Sequence, residues 1–299
     1  MSTMYLDGLE GKNAFITGGA SGIGLGMAQA FVRNGMRVMI ADIWQDHIDE
    51  ALAMFEQRGQ RDRVEAIRLD VTDRAAYEAA VATFDARMGK IHVLCNNAGL
   101  AAGGRVKDTT YKDWDWALGV MIGGTVNGMV NFVPRMIAHG EGGHIVNTAS
   151  MAGVLQPVMK GGVTYTTGKA AVIGMVEQAR LDLAEDRIGI SALIPGPVIS
   201  NIFKIGRTRP ARFANETPAP PPRRLEADPR WMPPETVGDM VVEAIRKNAL
   251  YIFTHGMFRQ GMQERFAKML ASLPTEQDDP DLVKDLEIFL SNPIYTQDV

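Results

Sequence analysis

What most constrains this chain is a rhythm of apolar runs and helical runs. Short, nearly continuous apolar runs lie at 13–17 (NAFIT), 36–41 (MRVMIA), 64–69, 91–95 (IHVLC), 144–148, 188–194 and 250–254. Helical patterns lie between them, at 22–34, 43–58, 73–88, 110–138, 164–186 and 234–247. A strand that is apolar along its whole length needs cover on both faces, and a strand–helix–strand unit brings the second strand back parallel to the first. Right-handed crossovers then give an α/β, doubly wound, Rossmann-like fold. Its mostly parallel seven-stranded sheet carries helices on both faces. No shift of composition interrupts the rhythm, so a single domain over 1–299 is expected.

Composition narrows the function classes. A chain of 299 residues can bury a sizeable core without staples. Its one cysteine, Cys95, allows no internal disulfide and suits a buried structural role. Thirty-one basic against thirty-five acidic residues leave a net charge of -4, which argues against a nucleic-acid partner. No uninterrupted apolar run reaches the roughly 18 residues of a membrane span, and the first ten residues lack the basic and apolar regions of a secretory leader. The expectation is a cytoplasmic protein with no membrane partner. The five histidines show no metal-ligand spacing, so no metal is expected.

The first apolar run leads directly into Thr17-Gly18-Gly19-Ala20-Ser21-Gly22-Ile23-Gly24. Glycines there permit a sharp turn that brings backbone N–H groups, and the amino terminus of the next helix, to a pyrophosphate. Gly18, Ser21, Gly22, Ile23 and Gly24 are therefore candidate cofactor residues. Asp42 follows the second run, where a carboxylate accepts from ribose hydroxyls and repels a 2′-phosphate. With no Lys or Arg beside it and an uncharged Ser21, the expected cofactor is NAD. Asp70-Val71 ends the third run, and Asp70 either holds the adenine amino group or caps the helix beginning near 73. Asn97, Ala98 and Gly99 end the fourth, as a crevice wall or as a turn that satisfies its own backbone.

Tyr165 and Lys169 stand four apart in YTTGK, which on a helix puts both on one face. A free phenol titrates near 10, and a neighbouring ammonium lowers that value toward useful base strength. Ser150, in NTASMAG, ends the fifth run and can orient a substrate oxygen. Pro195-Gly196-Pro197-Val198 follows the sixth, where rigid prolines and a glycine suit a nicotinamide wall, and Ser200 could bond the carboxamide or cap a short helix. Together these residues specify a hydride transfer between NAD and a secondary alcohol or ketone, with Tyr165 handling the proton.

The loop, NNAG, the Ser150/Tyr165/Lys169 set and the PGPV turn resemble the short-chain dehydrogenase/reductase family over residues 9–255. The resemblance implies a homodimer or homotetramer and a ribose-binding role for Lys169. Stretches such as TTYKDWDWALGV, NGMVNFVPRMIAHGEGGHIV and NALYIFTHG further resemble bacterial Cα-dehydrogenases of lignin-derived β-aryl ethers. That implies a bulky, benzylic alcohol as substrate.

Two features depart from the family pattern. Met121 falls where many members carry a proton-relay asparagine, and Asn127 is out of phase with it, so an NAD-binding protein with weak or no catalysis is the alternative. The Ser150–Tyr165 interval is also longer than usual, with the excess at 156–162, beside the expected substrate cleft.

Eight prolines between Gly206 and Pro234, with PAPPP at 218–222, mark a substrate loop or lid over about 198–234. Its Arg207, Arg209, Arg212, Arg223, Arg224 and Arg230 could meet a carboxylate, stack on a ring or carry solvated charge. A C-terminal extension at about 256–299 is expected to pack on the chain's own surface or on a neighbour. Gly119, Gly123, Gly124 and Gly128 suggest close helix packing, including across a subunit boundary, and Trp114 and Trp116 either anchor the long helix to the body or line the substrate pocket.

Overall fold

The computed structural model describes residues 5–6, 8–101, 104–157, 160–202, 209–215, 228–275 and 278–296. Strands β1 (Asn13–Thr17), β2 (Arg37–Asp42), β3 (Val64–Arg68), β4 (Val93–Asn96), β5 (Gly143–Thr148), β6 (Ile188–Ile194) and β7 (Tyr251–Phe253) form one parallel sheet. Its order is β3-β2-β1-β4-β5-β6-β7, so the winding reverses between β1 and β4. The registers Thr17↔Ala41, Ile16↔Cys95, Asn96↔Asn147 and Thr148↔Leu193 bring the carboxyl ends of these strands to one edge. In open α/β sheets that edge, at the point of reversal, is where ligands bind.

Helices α1 (Gly22–Arg33), α2 (Gln45–Gln57), α3 (Arg74–Met88), α4 (Tyr111–Leu118), α5 (Gly124–His139), α6 (Met151–Val154), α7 (Val163–Asp182) and α8 (Pro234–Arg246) connect or flank the strands. Alternate strand residues face opposite cores. Ile16, Val38 and Ile40 pack with Phe31, Phe55 and Val241 on one side. Phe15, Met39, Leu94 and Ile145 pack with Tyr77, Phe84, Phe132 and Val176 on the other. The Phe15 ring lies 4.8 Å from Phe132 and 5.8 Å from Phe84, centre to centre. Burying each such ring contributes about 2–3 kcal/mol.

Helices α1 and α8 meet backbone to backbone. A Cβ on Gly26 would sit 2.1 Å from the Pro234 carbonyl oxygen, and one on Gly238 2.2 Å from that of Gly26. The helix expected without a break over 110–138 is instead α4, one π turn (Gly119–Gly123) and α5. Gly119, Gly123 and Gly124 lower helix propensity at that point. The glycines of α5 seat it on the chain's own sheet edge: a Cβ would lie 2.8 Å from Val71 at Gly124 and 1.9 Å from the Asn96 amide oxygen at Gly128. The expected subunit-boundary role is not what these two serve. Residues 111–139 also have the length and apolarity of a membrane span, but their inner side faces the protein core.

The proline-rich excursion leaves and returns through one neck. The Ile199 N–H donates to the Met232 carbonyl and the Met232 N–H to the Pro197 carbonyl, each at 3.1 Å, beside a Val198–Met232 bridge. The PAPPP stretch, with Arg207, Arg223 and Arg224, lies outside the described residues. The C-terminal extension returns onto the chain itself. Helix α9 (Arg259–Leu270) places Gly261 on Leu155 and donates from Arg265 to the Val154 carbonyl. Beyond it, α10 (Pro280–Asp285) and α11 (Glu287–Leu290) precede the buried Ile294.

Candidate active site

The glycine turn fits a phosphate cradle. Gly18 and Gly22 adopt φ of +61° and +50°, which side chains disfavour. At Gly24 a Cβ would stand 2.1 Å from the Gly18 carbonyl oxygen, so only glycine lets α1 begin beneath the turn. Ser21 precedes α1 in extended backbone and makes no side-chain cap, while Ile23 packs toward the core. Asp42, the last residue of β2, is buried. Its carboxylate accepts from the Ala20 and Trp44 N–H groups, each at 3.2 Å. Burial raises its pKa, against the lowering effect of the Trp44 and Ala20 bonds. A buried acid under the loop suits ribose hydroxyls and opposes a further phosphate.

The end of β4 is tied to this turn by Thr17. Its hydroxyl accepts from the Asn97 and Ala98 N–H groups at 2.9 and 3.0 Å. The Asn97 amide donates to the Thr17 carbonyl at 3.0 Å and the Gly18 carbonyl at 3.3 Å. Asn97 thus satisfies the backbone at the end of a neighbouring strand. Gly99 brings the chain beside Lys169, whose Nζ would lie 3.3 Å from a Cβ there.

Ser150, Tyr165 and Lys169 come together where β5 meets α7. Ser150 caps α6, accepting from the Ala152 N–H at 3.1 Å, and hydrogen-bonds to the Tyr165 phenol. Tyr165 keeps part of its surface open, yet desolvation at its hydroxyl raises its pKa while the Ser150 bond lowers it. The expected lowering by Lys169 is not realised in this arrangement. The Lys169 ammonium lies 5.9 Å from the Tyr165 ring centre and donates to the Thr148 carbonyl at 2.6 Å. Desolvation lowers the pKa of Lys169 to about 8. Met121, in the π turn, is buried against Gly168 of α7, and Asn127 donates to the Val71 carbonyl at 2.8 Å. The inserted 156–162 segment leads into α7, with Gly162 bridged to Gly104; residues 158–159 lie outside the described set.

The Pro195 carbonyl accepts from the Met151 N–H, and the Gly196 N–H donates to the Thr254 hydroxyl, both at 2.9 Å. The close approach that Gly196 allows is by His255 and Phe258, at 2.7 and 2.8 Å from a Cβ there, rather than by a ligand alone. Val198 is buried in the neck, and Ser200 lies on Gly22, so the exit of β6 touches the phosphate turn.

Asp70 does not cap α3. Asp73 does, accepting from the Ala76 N–H at 3.0 Å. The Asp70 carboxylate instead accepts from Thr72, through N–H at 3.0 Å and O–H at 2.7 Å, and pairs with Arg212 at 2.8 Å. Arg209 pairs with Asp113 at 2.6 Å, and its guanidinium carbon lies 5.0 Å from the Trp116 ring centre. Asn215 donates to the same Asp113 at 3.0 Å. Residues 209–215 thus form a strap across α4. Phe213 of the strap joins a cluster of Leu100, Trp116, Ala117 and Met121 that also packs on Tyr165. Arg230 by contrast pairs with Asp228 at the surface.

Sequence reasoning passed over Thr17, Gly168 and Phe213, and set Thr148 aside in favour of Ser150. Only Thr17, next to the glycine turn, carried a local signal. Among the described residues no three His, Cys, Asp or Glu side chains gather as metal ligands would.

Comparison with known proteins gives this geometry its lineage. A family profile described as short chain dehydrogenase matches residues 12–209. A C alpha-dehydrogenase of Sphingobium sp. (strain NBRC 103272 / SYK-6) is 35% identical over 273 residues, covering 90% of this chain and 88% of that protein. A short chain dehydrogenase/reductase from Burkholderia phymatum, solved in complex with NAD, superposes with a TM-score of 0.82 at 31% identity, covering 92% and 100% of the two chains. The apo form of LigD from Sphingobium sp. strain SYK-6 gives 0.74 at 32% identity, covering 90% and 100%. The non-catalytic alternative raised by Met121 gains no support from these dehydrogenases. The reversal point of the sheet, the glycine turn and the profile agree: the chain belongs to the short-chain dehydrogenase family and is an NAD-dependent oxidoreductase acting on small molecules.

Proposed function

We propose that this protein oxidises a bulky secondary alcohol next to an aromatic ring to the corresponding ketone. The observation that carries the reading is the apolar cluster around Leu100, Trp116 and Ala117, on which both Tyr165 and the strap's Phe213 pack. Such a cluster suits an aryl group beside the reacting carbinol. The relation to a C alpha-dehydrogenase adds support.

Bound NAD supplies the hydride acceptor. Ionised to the phenolate, its own proton released to solvent, Tyr165 would take the hydroxyl proton, while Ser150 orients the alcohol oxygen and Lys169 holds positive charge beside them and reaches the ribose. Gly18, Ser21, Gly22, Ile23 and Gly24 cradle the pyrophosphate, and Asp42 accepts from the adenosine ribose. Asp70, Val71, Asn97, Ala98 and Gly99 line the adenine and central crevice; Pro195, Gly196, Val198 and Ser200 back the nicotinamide. The chain acts as one catalytic domain, and the single buried Cys95 fits a reducing compartment such as the cytoplasm. A homodimer or homotetramer is in keeping with the exposed Val126, Val130 and Ile137 of α5.

The test is NADH formation, followed by absorbance, with secondary alcohols from small aliphatic to β-aryl ether types. NADH from the aryl alcohols with NAD, weaker with NADP and lost in Tyr165→Phe, is the expected result. Preference for small aliphatic alcohols would refute the substrate reading.

A further inference from the structure

Helix α7 carries a glycine where the site can least spare a good helix former. Gly168 lies three residues after Tyr165 and immediately before Lys169. Inside a helix glycine is disfavoured relative to every residue but proline, so its presence here calls for a packing reason. The reason lies across the helix interface. A Cβ on Gly168 would fall 2.7 Å from Met121 Cε and 3.2 Å from both Met121 Cβ and Sδ. Swinging the terminal methyl aside relieves the closest contact, but Met121 Cβ and Sδ, both at 3.2 Å, would still have to give by a few tenths of an ångström, which moves the helix that carries them. Met121 is itself 1% exposed and sits at the centre of the π turn, the one irregular turn of its helix.

We propose that Met121 and Gly168 form a knob and socket that positions Tyr165 and Lys169. The thioether of Met121, seated on the bare backbone at Gly168, fixes how closely α7 approaches the π turn. That spacing lets Lys169 reach the Thr148 carbonyl while Tyr165 meets Ser150. The two residues belong together: a bulky apolar side chain at 121 is accommodated by a missing side chain at 168. Met121 and Gly168 are positioning residues; neither touches the reacting atoms in this proposal. It rests on the reading of Tyr165 as the proton acceptor.

A methyl swap tests it. Gly168→Ala is expected to lower kcat at least about tenfold while KM for the alcohol changes less than about threefold, since small misplacements of catalytic groups are costly. Met121→Ala/Gly168→Ala, which makes room for the new methyl, is expected to recover most of that loss. The ionisation midpoint of Tyr165 is read without substrate, as phenolate difference absorbance of each protein against its Tyr165→Phe counterpart. It should move in Gly168→Ala and return in the double variant. A purely structural contact would shift the melting temperature and leave that midpoint in place. Unchanged kcat and midpoint in Gly168→Ala, or a double variant showing the summed losses of the singles, overturns the proposal. If Gly168→Ala does not fold, Met121→Ala reads the contact from the other side, and an unmoved midpoint there overturns it equally. Undiminished turnover in Tyr165→Phe would instead sink the underlying assignment, whatever the methyl swap shows.

Discussion

The Lys169 ammonium donates to the Thr148 carbonyl oxygen at 2.6 Å, from a side chain only 2% exposed. The bond ties α7 to the end of β5, but desolvation of the charge lowers the Lys169 pKa from 10.5 to about 8. Between those values the unfolded chain holds the proton more tightly than the folded one. Stability at this site therefore rises with pH, from a full penalty below about 8 to none above 10.5. The span corresponds to about 3 kcal/mol. Urea unfolding of wild type and Lys169→Met at a series of pH values should show wild type gaining by that order between pH 8 and 10.5. A constant difference would contradict the desolvated ammonium.

In the proposed function Asp42 selects the cofactor by charge. Replacing Asp42 with Ala removes the buried carboxylate under Ala20 and with it the repulsion toward a 2′-phosphate. The preference for NAD over NADP should fall by at least about tenfold, mostly through a raised KM for NAD, as steady-state kinetics with both cofactors would show.

The strap should matter only to large substrates. Partial burial raises the Asp113 pKa, but bonds from the Thr110 N–H, Arg209, the Thr110 hydroxyl and Asn215 outweigh it and bring it to about 2. A lowered acid stabilises above its ordinary 3.8 and loses that contribution as pH falls toward 2, so the strap stays latched at neutral pH. Arg209→Ala should raise KM for a β-aryl ether alcohol about tenfold and leave a small aliphatic alcohol nearly unaffected. Equal effects on both would argue that the strap is structural.

Glycines differ in what they tolerate. Gly26→Ala drives a methyl into the Pro234 carbonyl, a backbone atom that cannot swing away, and should cost at least about 2 kcal/mol. Gly174 on α7 has nothing within 4 Å of a Cβ, so Gly174→Ala should stabilise by about 0.5–1 kcal/mol. Thermal melts of the two variants should move in opposite directions.

The sheet was legible because its strands are apolar on both sides. Ile16 and Phe15 face different cores, and no alternation was needed to find β1. The glycine turn and the Tyr165–Lys169 spacing were legible because both follow from local geometry. What escaped was non-local. Asp70 and Asp73 are both plausible caps in sequence; in the structure Asp73 takes the Ala76 N–H, while Asp70 is held by Thr72 and by Arg212, 142 positions away. The π turn was invisible, since π and α turns share their composition. Thr148 was weighed for its hydroxyl and set aside, whereas what it gives Lys169 is a carbonyl oxygen, which every residue has.

The neck at Pro197, Ile199 and Met232 has a consequence for how such an enzyme changes its diet. Both feet of the proline-rich excursion stand on the same few backbone bonds, next to the sheet edge. These bonds hold the end of β6 beside the residues that lead into α8, whatever lies between the feet. Since α8 is locked to α1 through Gly26 and Gly238, the floor beneath the cofactor stays level when that stretch is exchanged. The cofactor side is not wholly insulated from such an exchange, because Arg212 lies between the feet and pairs with Asp70, so a transplanted segment would have to bring its own partner for that carboxylate.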